Sequence, residues 1–153
     1  MRFSGTINAK IDAKGRVFFP SDFRKHLSDD DKPCVLKKDI YQPCLVIYPR
    51  SVWEQEVCTL RLRLNRWNPE HAMLLRQFLG DAETIELDAY GRFLIPRRFV
   101  QQCGIESGVS FVGVDDRIEL WSTARTATPF LSPEAYAESM AKIMGAAPEL
   151  PQA

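Results

Sequence analysis

The chain has 153 residues, of which 45% are hydrophobic and 26% are charged, and its 20 basic and 20 acidic side chains give a net charge of zero. This composition is typical of a globular protein that buries a core, and it shows no global basic excess of the kind that indicates a polyanion partner. No apolar run follows the first basic residue, and no stretch is long enough to span a bilayer. We therefore expect a cytoplasmic protein with no signal peptide and no membrane span.

Cysteine and histidine are too scattered for the usual metal or redox sites. The four cysteines form no C-x-x-C pair, and the chain has two histidines. In a reducing compartment such cysteines are expected to act as small apolar residues. We expect no metal site and no cofactor.

The first fifty residues are predicted to be mainly β-structure. A β-branched and aromatic run favours a strand, and Pro20 is expected to end it because proline donates no backbone hydrogen bond. The predicted elements are strands over residues 3–10 and 17–19, a short helix over 22–27, an acidic solvated loop over 28–31, and strands over 34–38 and 44–48.

Two helices are predicted to follow. Ser51 and Glu54 match the S-x-x-E capping box, Asn68-Pro69 is a favourable start for the second helix, and Gly80 is placed to end it. Apolar residues recur at helical spacing in both segments, namely Trp53, Val57, Leu60 and Leu64, then Met73, Leu74, Phe78 and Leu79.

The second half is predicted to repeat the first. Its elements are a strand over residues 84–87, a short helix over 97–103, and a hairpin of strands 110–114 and 117–121 with Asp115-Asp116 at the turn. A last helix is predicted over 133–144. We therefore divide the chain into a first unit over 1–50, connecting helices over 51–80, a second unit over 81–124, and a partly helical or disordered tail over 125–153.

The strongest feature is a motif that occurs twice. Asp12-Ala13-Lys14-Gly15-Arg16-Val17-Phe18-Phe19-Pro20 matches Asp88-Ala89-Tyr90-Gly91-Arg92-Phe93-Leu94-Ile95-Pro96 without a gap, at a constant offset of 76 residues. Tyr48 and Trp121 occupy matching places at an offset of 73, so the first unit carries about three extra loop residues. We infer that the chain contains two versions of one unit.

The arginine of the motif has two interpretations. In a D-x-x-G turn, the aspartates Asp12 and Asp88 bond their own backbone, and the glycines Gly15 and Gly91 supply a positive φ. The structure of the turn therefore explains these four residues without any binding function. Arg16 and Arg92 then either form a salt bridge with their own aspartate or project from a rigid strand end toward phosphate oxygens or a guanine edge.

The surrounding charges favour the second interpretation. Basic residues cluster around both motifs, whereas the acidic residues lie mostly elsewhere in the chain. A neutral protein with one basic face remains able to bind a polyanion, although basic clusters are often only solvated surface. The basic residues are Lys10, Lys14, Arg16, Arg24 and Lys25 in the first unit and Arg92, Arg97 and Arg98 in the second.

The sequence resembles the MraZ family of bacterial transcriptional regulators. The resemblance covers about residues 1–121 and rests on the double D-x-x-G-R unit together with several shorter motifs. These are Phe3-Ser4-Gly5, Asp39 with Cys44-Leu45 and Tyr48-Pro49, Trp53-Glu54, and Gly113-Val114 with Glu119-Leu120-Trp121.

The resemblance implies a mainly β, α+β fold of two swapped-hairpin β-barrel halves of the AbrB/SpoVT type, linked by the helical pair. It implies a homo-oligomeric ring that associates with the nucleoid. It also implies binding of double-stranded DNA at short direct repeats upstream of the division and cell-wall gene cluster. By position, the DNA-binding role falls on Lys14 and Arg16 in the first copy and on Arg92 in the second. Tyr90 stands where the first copy has Lys14, so the two halves are expected to contribute unequally.

The sequence also bears on three other classes of protein. No Ser/His/Asp or Cys/His set occurs at either motif, so an enzyme is not expected. A toxin-binding antitoxin usually has one such DNA-binding unit and a long disordered tail, whereas this chain has two units and a short tail. A structural ring or protein-interaction module of the same fold remains the alternative, and only a DNA-binding assay separates it from a regulator.

Overall fold

A computed structural model describes residues 2–124 and 129–145 of the chain. Its strands are short and antiparallel, and one 3-10 helix, Asp29–Asp31, follows the first α-helix. The strands are β1 (Thr6–Lys10), β2 (Arg16–Phe18), β3 (Val35–Lys38), β4 (Leu45–Tyr48), β5 (Glu83–Thr84), β6 (Arg92–Leu94), β7 (Gly108–Val114) and β8 (Arg117–Ser122); the α-helices are α1 (Ser21–Arg24), α2 (Arg50–Arg63), α3 (Pro69–Gly80), α4 (Arg97–Gln102) and α5 (Pro133–Gly145).

Strands of the two repeats are intermixed in one sheet. The six-stranded sheet has the order β1-β7-β8-β4-β3-β5, and β2 pairs with β6 in a separate two-stranded ribbon. If each strand is exchanged for its counterpart in the other repeat, the order reads the same in reverse. The sheet is therefore pseudo-twofold symmetric, and strands of one repeat pair with strands of the other at β1–β7, β8–β4 and β3–β5.

Two apolar layers cover the two faces of this sheet. Alternate residues of β4 point to opposite sides, since Leu45 and Ile47 belong to the main core whereas Val46 and Tyr48 belong to a second cluster. The ribbon contributes buried Val17 and Phe93 to the main core. Helix α2 contributes Val52, Trp53 and Val57 to the second cluster. The ribbon and the α2–α3 pair consequently lie on opposite faces of the sheet.

The fold class agrees with the predicted mixture of antiparallel strands and helices. The described strands do not close into a barrel, because the sheet ends at β1 and β5. The swapped-hairpin arrangement and the domain boundaries remain predictions. The predicted tail helix is confirmed as α5 (Pro133–Gly145), whereas residues 125–128 and 146–153 lie outside the described part of the chain.

The acidic run was predicted wrongly as a solvated loop. It forms the 3-10 helix, and Asp31 is buried there, with its side chain 4% exposed. Its carboxylate accepts hydrogen bonds from Ser28, from the Arg2 guanidinium at 2.8 Å and from the Ser51 hydroxyl at 2.8 Å. Burial alone would raise the pKa of Asp31, but these hydrogen bonds lower it to about 2.

The same carboxylate explains a second wrong prediction. Ser51 does not cap α2, because the helix begins at Arg50 after Pro49 and has no side-chain cap. Its hydroxyl donates to Asp31 instead. Asn68, in contrast, caps α3 as predicted, since its side chain accepts hydrogen bonds from the backbone of Glu70 and His71.

The strand before the second motif is shorter than predicted. A strand was expected over residues 84–87, but β5 ends at Thr84. Ile85 makes one further backbone hydrogen bond, to Cys34 at 2.8 Å, and the chain then leaves the sheet. The equivalent strand β1 stays paired with β7 through Lys10.

Candidate nucleic-acid interface

The two motifs meet in the β2–β6 ribbon. Val17 pairs with Phe93 at its centre, Arg16 pairs with Leu94, and Phe18 pairs with Arg92. Each strand thus places its arginine opposite the last residue of the other strand. The two D-x-x-G turns lie at opposite ends of the ribbon because the strands are antiparallel.

Alternation along the strands separates the ribbon into two faces. Val17 and Phe93 are buried in the main core, whereas Phe18 and Leu94 are 56% and 58% exposed. Arg16 and Arg92 lie on the same face as these exposed residues because side chains alternate along a strand. The ribbon therefore presents two arginines and two apolar side chains on one outward face.

The first turn is held by its aspartate and glycine. The Asp12 carboxylate accepts hydrogen bonds from the backbone of Lys14 and of Arg16, both at 2.9 Å. Gly15 has a φ of +88°, and a Cβ at this position would lie 3.0 Å from the Ile95 carbonyl oxygen. Glycine is therefore required both by the backbone conformation and by the close approach of the partner strand.

The second turn repeats this geometry. The Asp88 carboxylate accepts from the backbone of Tyr90 and of Arg92, both at 2.9 Å, and Gly91 has a φ of +83°. The backbone hydrogen bond from Arg92 lowers the pKa of Asp88, as that from Arg16 lowers the pKa of Asp12. Both aspartates therefore remain ionised and keep the turns closed at neutral pH.

Each arginine also bonds its own aspartate. Nε of Arg16 lies 2.7 Å from Asp12, and Nε of Arg92 lies 2.8 Å from Asp88. The salt bridge that the sequence left open is thus present, but it uses a single nitrogen. Within the described residues the terminal nitrogens of both guanidinium groups make no hydrogen bond. The aspartate fixes the arginine and leaves the fork of the guanidinium available to a ligand.

The surroundings of the two arginines differ. The Arg92 guanidinium lies 5.1 Å from the ring centroid of Tyr90 and 5.9 Å from that of Phe18. Its side chain is 23% exposed, compared with 37% for Arg16. Lys14 is exposed at the place where the second turn has Tyr90. The first turn therefore presents more accessible positive charge.

Arg24 belongs to the second turn, which the sequence did not predict. A Cβ on Gly91 would lie 2.7 Å from Nη1 of Arg24, so this guanidinium stands against the turn of the other repeat. The second repeat has Val100 at the position equivalent to Arg24. In the sequence, only this difference between the repeats marks Arg24 as unusual. It does not show which of the two turns the arginine approaches.

The other basic residues of the predicted cluster do not all remain available. Arg98 is bound to Glu83 at 2.7 Å and to Asp81 at 3.4 Å. Lys25 lies 3.7 Å from Asp22 on the exposed face of α1. Lys14, Arg16 and Arg92 belong to the two motifs themselves, and Arg24 stands against the second turn.

The described residues hold no cluster of three or more histidine, cysteine, aspartate or glutamate side chains that fits a metal ion. Among the same residues, no helix combines the length and apolar character needed to cross a membrane. The ribbon, with its fixed arginines, is the chemically distinctive surface of this part of the chain.

Comparison with known proteins decides the family. Residues 2–77 and 78–126 match the family model described as "MraZ protein, putative antitoxin-like". The chain belongs to the MraZ family. It is 49% identical to a transcriptional regulator MraZ from Phocaeicola vulgatus, over 95% of each chain. It is 47% identical to one from Bacteroides fragilis, over 94% of this chain and 92% of the relative.

A more distant MraZ relative covers less of the chain. The transcriptional regulator MraZ from Histophilus somni is 35% identical over 78% of this chain and 79% of its own length. The MraZ family model ends at residue 126, shortly after β8. The two repeats and the helical pair thus carry the family match, whereas the match to the Phocaeicola protein extends over nearly the whole chain.

Proposed function

We propose that this chain is a sequence-specific, DNA-binding transcriptional regulator of the cytoplasm and nucleoid. It acts on short direct repeats upstream of the division and cell-wall gene cluster through its two D-x-x-G-R motifs. The observation that supports this most is the β2–β6 ribbon, which carries both arginines on one exposed face. The names of the relatives support regulation of transcription, and the ribbon supplies a physical means of binding.

The shape of the ribbon suits the major groove. A two-stranded antiparallel ribbon fits this groove, and side chains of its outer face reach base edges there. Each Arg16 and Arg92 guanidinium is held at Nε and offers its terminal nitrogens, which match the O6 and N7 acceptors of guanine or two phosphate oxygens. Little side-chain entropy is lost on binding, since the aspartate already holds the arginine.

The neighbouring residues fit the same role. Leu94 lies opposite Arg16 and Phe18 lies opposite Arg92 on the same face, and both offer apolar contact to thymine methyl groups. Lys14 at one end of the ribbon and Arg24 near the other provide charge for phosphates. The two ends then differ in the residue that supplies this charge.

A ring of identical subunits is part of the proposal. The palindromic strand order supports the swapped-hairpin arrangement of AbrB/SpoVT-like proteins within each chain. The α2–α3 pair lies on the sheet face away from the ribbon and exposes apolar side chains suited to a subunit contact. These are Leu62, Trp67, Met73, Leu74 and Leu79.

Oligomerisation explains how a small ribbon attains specificity. One ribbon makes few contacts, and each contributes about 1–3 kcal/mol of discrimination at most. Adjacent subunits that engage successive repeats make the second binding event intramolecular, which raises affinity through effective concentration. The same exposed apolar helices favour the alternative, a structural ring or protein-interaction module without strong DNA specificity.

The decisive experiment measures binding to the protein's own upstream DNA. Fluorescence anisotropy with duplexes carrying one, two or three repeats is compared for wild type, Arg16→Ala and the control Arg63→Ala, and light scattering gives the oligomer mass. Arg63 is an exposed cation in the last turn of α2, remote from the ribbon.

We expect affinity to rise steeply with the number of repeats and to fall when their spacing shifts by half a helical turn. Arg16→Ala should weaken specific binding about tenfold or more, and Arg63→Ala should preserve it. Tight binding by a monomer, or affinity that ignores repeat number, would refute the ring. Unchanged affinity for Arg16→Ala with a native circular-dichroism spectrum would refute the role of the motif and leave the structural alternative.

A further inference from the structure

A half-open cavity lies beside the ribbon. It has a volume of about 390 Å³ and is bounded by the end of α1, by residues 32–34 and by residues 85–87. This volume is at the lower end of the range for small-molecule sites. Its apolar wall is formed by Phe19, Leu27, Ile85 and Leu87.

The charged residues of the cavity are Arg24, Lys32 and Glu86. Lys32 and Glu86 are exposed and Arg24 is partly exposed, so the charges lie on the open side. None of the three forms an ion pair with another residue of the described ranges 2–124 and 129–145. Two cations and one carboxylate leave one net positive charge at the mouth of an apolar cavity.

The corresponding place in the other repeat is built differently. There, β1 stays paired to Lys10, and the backbone of Ile11 still bonds Ser107 at 3.1 Å. Val100, which is equivalent to Arg24, packs against the main core. Around the cavity, β5 has already ended at Thr84 and the chain has left the sheet. In the equivalent region of the other repeat, strand pairing continues where the chain around the cavity has left the sheet. The pseudo-symmetry of the fold therefore does not by itself require the cavity.

We propose that this cavity binds an amphipathic monoanion, a single medium-length alkyl chain that ends in a carboxylate. The chain contacts the apolar wall, and the head group receives hydrogen bonds from Arg24 and Lys32. The single net charge at the mouth matches one carboxylate. The volume accommodates one such chain.

The position of Arg24 couples the cavity to the ribbon. Its guanidinium stands against Gly91 in the second turn, and Leu87 of the cavity wall directly precedes Asp88. A head group that engages Arg24 therefore competes for a cation that the DNA backbone also requires. This coupling rests on the proposed function, whereas binding of the anion does not. Because linkage is reciprocal, DNA and ligand should weaken each other's binding by the same factor.

The binding itself is tested by isothermal titration calorimetry of the full chain with octanoate, below its micellar concentration, and with 1-octanol. Lys32→Glu reverses a charge in the cavity. Lys25→Glu makes the same change on α1, at a residue that does not line the cavity. A second variant, Leu87→Asp, places a carboxylate in the apolar wall, and circular dichroism checks that all variants fold.

We expect saturable binding of one octanoate per chain. Lys32→Glu and Leu87→Asp should each weaken the affinity about tenfold or more. Lys32→Glu removes a charge-assisted contact with the head group, and Leu87→Asp removes an apolar contact with the alkyl chain. Lys25→Glu should change the affinity less than about twofold, in keeping with a screened surface charge. Absence of saturable binding would overturn the proposal. So would equal affinity for octanol, or equal losses for Lys32→Glu and Lys25→Glu.

The coupling is tested by DNA titration in saturating octanoate. A severalfold loss of DNA affinity supports the shared use of Arg24, and an unchanged affinity overturns it. If octanoate binds and no DNA is bound at all, the proposed function fails while the cavity assignment stands. If DNA is bound and octanoate is not, only the cavity assignment fails.

Discussion

The two D-x-x-G turns have the same geometry, whereas the segments around them have diverged. Asp12 and Asp88 each accept two backbone hydrogen bonds at 2.9 Å, and Gly15 and Gly91 share a positive φ. The flanks differ in charge and in strand pairing. Lys14 corresponds to Tyr90, Arg24 to Val100, and the five residues of β1 to the two of β5.

The strand pairing explains which parts stayed alike. Val17 pairs with its own counterpart Phe93, whereas Arg16 and Phe18 each pair with the counterpart of the other, so a change in one copy alters the surroundings of both. The flanking strands do not pair with each other, since β1 pairs with β7 and β5 pairs with β3, and they are not bound by this constraint. The buried Asp31 lies in a flanking segment of the first half, and flanking segments of both halves line the cavity.

The largest expected effect concerns the centre of the ribbon, where the two repeats meet. Phe93 is 2% exposed, and its ring lies 5.9 Å from that of Phe19. Phe93→Ala should lower the free energy of unfolding by about 3–5 kcal/mol, because it removes an aromatic side chain from a packed core. Val17→Ala, across the pair, should lower it by about 2 kcal/mol, because two methyl groups are lost.

Urea denaturation at a fixed protein concentration measures both changes. The control is Leu94→Ala, at the exposed neighbouring position, which should change the free energy of unfolding by less than about 0.5 kcal/mol. Equal losses for Phe93→Ala and Leu94→Ala would contradict the assignment of the two ribbon faces.

The second-largest expected effect is a loss of folding stability that concerns the first half alone. Asp31→Asn should lower the free energy of unfolding by about 2 kcal/mol, because a buried carboxylate that accepts hydrogen bonds from Arg2, Ser28 and Ser51 loses its charge. The matched control is Asp30→Asn, at an exposed position in the same 3-10 helix, and it should be neutral. Similar losses for the two variants would show that the carboxylate is not a specific anchor.

The pH dependence of this effect has a defined sign. The pKa of Asp31 is lowered from 3.8 to about 2 in the folded chain. Its contribution to stability is therefore fully present above about pH 4 and is lost as the pH falls toward 2. Wild type should lose more stability than Asp31→Asn over this interval, as measured by urea denaturation at each pH. Parallel curves would contradict the lowered pKa.

The third effect compares the two arginines in DNA binding. Arg16→Ala should reduce affinity about tenfold or more, and Arg92→Ala should reduce it less. Lys14 adds charge to the first turn, and Arg92 is partly covered by Tyr90 and Phe18. Anisotropy titrations with the same duplex measure both losses. Equal losses would show that the difference between the turns does not affect DNA binding.

The smallest expected difference is between the stability losses that follow replacement of the two turn glycines. Gly15→Ala and Gly91→Ala each place an alanine at a positive φ, which costs about 1–2 kcal/mol. At Gly15 the new Cβ meets the Ile95 carbonyl oxygen at 3.0 Å, whereas at Gly91 it meets the end of the flexible Arg24 side chain. Gly15→Ala should therefore be the more destabilising by up to about 1 kcal/mol in thermal denaturation. The reverse order would indicate that Arg24 is held rigidly at the second turn.

Local patterns predicted the elements that depend on local chemistry. The turns follow from aspartate and glycine at fixed spacing, and the hairpin of β7 and β8 follows from two β-rich runs around Asp115-Asp116. The start of α3 follows from Asn68-Pro69. These features require no partner that is distant in the sequence.

Distant contacts account for what the sequence did not show. Three consecutive aspartates have the pattern of a solvated loop, and only the approach of Arg2 and Ser51 makes burial of Asp31 favourable. The pairing of β2 with β6, and the place of Arg24 beside Gly91, also depend on contacts between the repeats. A repeat in the sequence reveals two related units but does not reveal that strands of one unit pair with strands of the other.

Pairing between strands of the two repeats also determines when the protein is able to fold. The first strand, β1, pairs with β7, and the hydrogen bond from Ser110 to Asn8 joins residues 102 positions apart. Pairing over such a distance is slow because the chain loses loop entropy before the contacts form. During synthesis, the first strand emerges long before its partner. The newly made first half must therefore keep Phe3 and Val17 out of wrong contacts until the second half has left the ribosome.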